Sequence, residues 1–251
     1  MAWVSTGDSR KRVIPGVLLL AGCVSPLPVY PWKGEVQALA ILAARAEAIS
    51  TVTASGTITM TRPDGEGVTL DIALAIDGGD CLRLRAWKFG NPVLDLTSVS
   101  GETWIWSAET DSDRSPVILS DQALSRMLDA WSLLSGRTAA RGTPLETPRT
   151  MLFVVRCETV WGQDVLAEID RETVTVRAYR LFDASGCAIR SLTMDDYMLS
   201  DRVPWPMRIA ASGPDGSIVI RLDSVELNAP LMPSAFIPPA RARRILRAGG
   251  P

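Results

Sequence analysis

The chain has no histidine among its 251 residues, and that absence limits its side-chain chemistry from the outset. Without the commonest general base near neutral pH, the Ser/His/Asp and Cys/His nucleophilic systems and most zinc sites fall away. Carboxylate pairs remain, because glycoside hydrolysis needs only two of them. Asp195-Asp196 is the most conspicuous pair, yet neighbours on a strand point to opposite faces and cannot converge on one bond. No activated nucleophile or base is left. The sequence reads as a non-enzyme, with no metal and no cofactor expected. Its 26 basic and 28 acidic residues nearly cancel, which argues against nucleic acid as a partner.

Four cysteines hold the remaining reactive groups. Cys23 ends the run Leu20-Ala21-Gly22-Cys23, which follows the basic Arg10-Lys11-Arg12 and the apolar residues 13–21. A charged stretch before a short apolar run is the pattern of an export signal, and the run is too short to cross a bilayer. The four residues resemble the bacterial lipobox, in which small residues before an invariant Cys let a signal peptidase cut ahead of a diacylglyceryl-modified thiol. That resemblance implies residues 1–22 as signal peptide and Cys23 as the lipid attachment site; a plain secretory signal or a buried apolar strand are the alternatives. Val24 stands where an Asp would hold a lipoprotein at the inner membrane, so the resemblance points to the outer membrane, facing the periplasm. Residues 23–34 are rich in proline and are expected to be an extended tether. Cys81, Cys157 and Cys187 are an odd number in a compartment that permits disulfides. One bridge is possible, and all three are expected to be core residues.

The elements that must position these groups follow from periodicity. Val36, Leu39, Ala40, Ala43, Ala46 and Ile49 recur at three-and-four spacing and predict a helix over residues 35–50. From Thr53 the period becomes two, through Ile58 and Met60, then Leu70, Ile72 and Leu74 after the turn at residues 62–65, then Leu82 and Leu84. Gly90-Asn91-Pro92 reads as the next turn, followed by Leu94, Leu96 and the Trp104-Ile105-Trp106 run. After an acidic loop at residues 109–115, Ser120 or Asp121 caps a second helix carrying Leu124, Met127, Leu128, Trp131 and Leu134, which Gly136 stops. Residues 137–148 read as loop. Six further strand-like runs follow, over residues 151–160, 165–169, 173–182, 188–194, 207–211 and 217–227.

About eleven short-linked antiparallel strands cannot lie flat, because twist accumulates and so large a sheet curls. The fold class is therefore α+β: a strongly curved antiparallel sheet covered by two or more helices, enclosing a long apolar groove. The groove wall is expected from Ile58, Met60, Leu70, Ile72, Leu74, Leu82, Leu84, Leu94 and Leu96, closed by the helices around Leu39 and Leu128. Trp87 and Phe89 fall out of phase with that face beside a turn. They are either exposed at a loop tip or part of a small cluster on the convex side with Trp104 or Trp106.

This order of elements, together with the strand-loop-strand at residues 82–96, Pro206-Met207-Arg208-Ile209, Val225-Glu226-Leu227-Asn228 and Phe236-Ile237-Pro238, resembles the LolA/LolB family of bacterial lipoprotein-localisation proteins. The resemblance covers residues 36–239. It implies one unclosed β-barrel domain over residues 35–239, whose lidded cavity holds acyl chains of lipoproteins or lipids. The N-terminal lipid anchor makes the chain similar to the anchored member, which takes cargo from a periplasmic carrier protein and uses a protruding apolar loop residue to hand lipid on. The alternative is an anchored periplasmic sensor or interaction module that binds a protein partner. Residues 240–251, with Arg241, Arg243, Arg244 and Arg247, are expected to form a basic flexible tail.

Overall fold

The computed structural model describes residues 26–78, 81–108, 130–146, 151–159, 162–183 and 185–245. The helix α1 (Glu35–Glu47) precedes five strands, β1 (Thr51–Thr61), β2 (Gly67–Asp77), β3 (Cys81–Lys88), β4 (Asn91–Val99) and β5 (Glu102–Ser107). Two short helices follow, α2 (Ala130–Leu134) and α3 (Arg137–Ala140). Then come β6 (Thr143–Leu145), β7 (Leu152–Glu158), β8 (Asp164–Asp170), β9 (Val176–Phe182), β10 (Ala188–Ser200), β11 (Val203–Gly213), β12 (Gly216–Leu227), a 3-10 turn (Pro233–Phe236) and β13 (Arg243–Ile245).

All thirteen strands form one sheet in the order β13-β5-β4-β3-β2-β1-β12-β11-β10-β9-β8-β7-β6. Its two edges remain unjoined, so the result is an unclosed barrel. Irregularities at Ser55/Gly56, Ala86/Trp87, Ala188/Arg190 and Glu168/Ile169 add local twist. Gly56 is required where β1 meets β12, since a Cβ there would stand 2.0 Å from the Arg221 carbonyl oxygen.

Directly opposed residues of antiparallel strands share a face, and the register builds the concave side accordingly. Ile58 faces Leu70, Leu74 faces Leu84, Ile76 faces Leu82, Leu84 faces Leu96, and Ala86 faces Leu94. α1 covers this face with Ala38, Leu39, Leu42 and Ala46, followed by Ile49, all buried. Val36, expected on the apolar stripe, is 80% exposed; the buried stripe runs through Ala38, Leu42 and Ala46 instead, and two residues at 3.6 per turn carry Val36 to the far side of the helix from Ala38.

Four further expectations are corrected. Among the described residues the strands number thirteen, because three residues each at β6 and β13 pair onto the sheet edges. β11 begins at Val203, ahead of its two prolines. β12 pairs with β11 only from Arg208 onward, so Pro204 and Pro206 lie on a one-sided stretch where a missing N–H costs no ladder bond. Residues 26–34, read as a tether, dock on the barrel: the Tyr30 N–H donates to the Glu172 carbonyl at 2.8 Å, and Trp32 packs on Phe153 with ring centroids 5.2 Å apart. The expected basic tail contributes β13, where Arg244 opposes Trp104 and pairs with Glu102.

Residues 228–242 cross the convex side to reach that edge, and Phe236 is buried there. Arg83 fixes the crossing. Its Nη1 donates to the Ala235 carbonyl at 2.8 Å, while Nε and Nη2 grip both oxygens of Asp95 at 3.0 and 2.7 Å. Thr97 Oγ1 donates to Asp95 as well, so the buried carboxylate is fully engaged.

Candidate functional site

The nine residues expected to wall a groove do share the concave face of β1–β4. Seven of them, Ile58, Leu70, Ile72, Leu82, Leu84, Leu94 and Leu96, are buried, and Met60 and Leu74 pack half-buried against the same cluster. The body of the second helix, with Leu124, Met127 and Leu128, lies outside the described residues, as do Cys23 and the acidic loop. α2, at the expected end of that helix, is described and buries Trp131.

Open space lies farther along the same layer, between α1 and the β9–β11 part of the sheet. A cleft of about 20 Å³ is lined by Leu42, Arg45, Ser135, Val174, Tyr197 and Trp205, among others. Among the described residues, three buried polar atoms of this region have no hydrogen-bond partner: Trp131 Nε1, Ser135 Oγ and Trp205 Nε1. Each such group costs about 1–3 kcal/mol when left unmade, and two of the three belong to Ser135 and Trp205, which line the cleft. Sequence reading missed Trp205, which sits between two prolines, and took Trp131 only as part of an apolar stripe.

Arg45 bolts α1 across this cleft. Its Nη1 donates to the Val174 carbonyl at 2.6 Å and its Nη2 to the Thr173 carbonyl at 3.1 Å, with the guanidinium 4.9 Å from the Tyr30 ring centre. Val174 is buried with φ of 51°, a left-handed conformation that a β-branched residue resists. The turn is held from below by Asp170, whose Oδ1 accepts from the N–H groups of Glu172 and Thr173 and from Thr173 Oγ1. Burial pushes the Asp170 carboxyl up, but these bonds from Thr173 and the charge of Arg177 outweigh it and hold the group below its ordinary value. Burial raises the Tyr197 hydroxyl, which stays protonated and donates to the Val176 carbonyl. The latch thus consists of one arginine on a strained turn.

At the far rim, Phe89 and Gly90 form a two-residue hairpin with φ of 51° and 78°. The turn falls one residue earlier than expected, and Asn91 and Pro92 open β4. Hairpins of this type favour Asn or Gly at the first position; an aromatic there is strained, and Phe89 is 90% exposed. Trp87 separates from it. It lies half-buried on the convex side, with Arg85 5.2 Å from its ring centre, so the two aromatics divide between the two alternatives that their spacing left open.

The three described cysteines, Cys81, Cys157 and Cys187, form no disulfide with one another. Cys157 is buried, where desolvation and the Asp164 charge push its thiol up to about 11. Cys187 is exposed in the β9–β10 turn, contrary to expectation, because that loop is organised by Asp183, which accepts from the Ser185 and Cys187 N–H groups, rather than by apolar packing.

By sequence, no protein family and no curated protein matches the chain. Solved structures do. A domain of Vibrio parahaemolyticus assigned to outer-membrane lipoprotein sorting superposes with a TM-score of 0.56 at 10% identity, covering 80% of this chain and 95% of that one. A LolA superfamily protein of Nitrosomonas europaea gives 0.55 at 10% identity over 80% and 97%. The chain has the LolA-like fold. A DUF1329 family protein of Desulfovibrio piger shares it, with a TM-score of 0.57 at 10% identity over 80% and 97%. In LolA-like terms the sheet described above is the unclosed barrel, and α1 with α2 and α3 is its cover.

Proposed function

We propose that the protein is an outer-membrane lipoprotein, anchored through Cys23, that receives the acyl chains of lipoproteins or lipids in its concave face and passes them on. The observation that carries this reading is the continuity of the apolar face: Ile58, Leu70, Leu74, Leu84 and Leu96 run in register across four strands of a sheet whose edges are free. The likeness to a lipoprotein-sorting domain supports it. Ligand pockets enclose roughly 300–1,000 Å³, against about 20 Å³ here. On this reading the structure is the closed state, and an acyl chain enters when Arg45 releases α1 from the β8–β9 turn. Ser135 Oγ and Trp205 Nε1 then donate to the ester oxygen of the acyl group. Phe89 contacts the acyl cargo at the rim, with Trp87 supporting its hairpin.

A photoactivatable palmitate analogue tests the reading. Crosslinks to peptides of β1–β4 and α1, competed by unlabelled lipid, are expected; crosslinks confined to the outer surface would defeat it. The tight packing of seven of the nine face residues favours a second reading, an anchored sensor or interaction module with a plugged groove and a protein partner. That reading predicts no competed crosslink and a stable complex with an envelope protein.

A further inference from the structure

Because neighbouring strands are antiparallel throughout, the hairpins β1–β2, β3–β4 and β11–β12 gather at one end of the barrel, and β2–β3, β8–β9 and β10–β11 at the other. Phe89 is at the first end. The second end carries an exposed patch assembled around Arg171. The Arg171 N–H donates to the Met151 carbonyl at 2.9 Å, its guanidinium lies 4.7 Å from the Trp32 ring centre, and its Nη2 is 3.9 Å from Glu35 Oε1. Beside these contacts Val29, Trp32, Val36 and Met151 are 63%, 39%, 80% and 66% exposed. Large apolar side chains grouped in this way signal a contact surface. The patch includes the docked segment 26–34, and Cys23 lies three residues before Pro26, a reach of at most about 10 Å.

Resting on the anchor reading, we infer that this end of the barrel lies against the bilayer that holds Cys23, with Val29, Trp32, Val36 and Met151 entering the headgroup region. A tryptophan with an apolar body and a polar edge suits that depth. Lys33 and Arg171 are balanced by Glu35 and Glu172 at the same spot, so insertion, rather than attraction to anionic lipid, supplies the contact. One consequence concerns Phe89. The eight residues of β3 place its hairpin roughly 26 Å from the other end of that strand, so Phe89 points into the periplasm and meets incoming cargo or its carrier rather than the anchoring membrane.

The test uses the full acylated chain in vesicles of phosphatidylethanolamine and phosphatidylglycerol, in a Cys81→Ser, Cys187→Ser background. A nitroxide is placed at Met151→Cys or at Phe89→Cys, both exposed positions. Collisions with oxygen should exceed those with a water-soluble nickel complex several-fold at 151, with the reverse at 89, and neither ratio should change between low and high salt. An aqueous signal at 151 in protein whose acylation is confirmed by mass spectrometry would overturn the docking alone. Absence of acylation at Cys23 in the same sample would overturn the anchor and the orientation with it.

Discussion

Replacing Arg45 by Met keeps the length and apolar stem of the side chain while removing both donors that hold α1 to the β8–β9 turn. Hydrogen bonds involving a charged group contribute about 1.5–3 kcal/mol each. This arginine is half-buried, and water recovers part of that loss, so the net weakening of the closed state comes to about 2 kcal/mol. At about 1.4 kcal/mol per factor of ten, the open population rises roughly 30-fold. Hydrogen exchange of the α1 amides should accelerate by about that factor, and uptake of a fluorescent fatty acid should quicken with it. The amides of β1 and β2 should keep most of their protection. Faster α1 exchange with unchanged uptake would show that acyl chains do not enter beneath this helix, and unchanged exchange would show that Arg45 is no latch.

Other perturbations address the rim, the convex clip and the acid response. Phe89→Asn should stabilise the fold by about 0.5–1 kcal/mol in urea titrations, since Asn accepts the left-handed turn better, yet slow lipid transfer; Trp87→Ser should cost about 1–2 kcal/mol through its lost packing under Arg85. Asp95→Ala strands Arg83 without its partner and should cost about 3–5 kcal/mol, with faster proteolysis of the 228–245 crossing; a loss under 1 kcal/mol would show that the crossing is held by Phe236 alone. Asp170 has a depressed folded pKa, so its contribution is present above the unfolded value near 4 and is lost as pH falls through the folded value. Stability measured by chemical denaturation should therefore fall below about pH 4, and Asp170→Asn should flatten that dependence while lowering stability at pH 7.

What the sequence revealed followed the strength of local periodicity. Along β1–β4 the core residues alternate with mainly polar ones, Ala73, Ala75 and Val93 being among the exceptions, and Ile58, Ile72, Leu84 and Leu96 fall on one face as their spacing requires. α1 is legible as a helix, but its stripe is misplaced by counting Val36, an apolar residue that the helical period sets on the far side from the buried Ala38. Pro204 and Pro206 concealed the start of β11, since their tolerance depends on where β12 stops pairing, a fact about the partner strand. The docked 26–34 segment and β13 were hidden for a similar reason: Tyr30, Trp32 and Arg244 are ordered by contacts with residues far away in sequence. The latch was the least legible part. Arg45 appears as an ordinary charge between helix formers, and only the fold brings the Val174 carbonyl to it.

Native mass spectrometry of the acylated chain bears most directly on acyl-chain binding in the concave face. After exposure to phospholipid or to a purified lipoprotein, the protein should carry one non-covalent acyl ligand in addition to the modification at Cys23. Ile72→Glu, a buried position in the centre of that face, should abolish the adduct in protein shown by circular dichroism to remain folded, while Phe89→Asn should retain it. A wild-type chain that carries no adduct under any loading condition, or an adduct that persists in folded Ile72→Glu, would contradict the account.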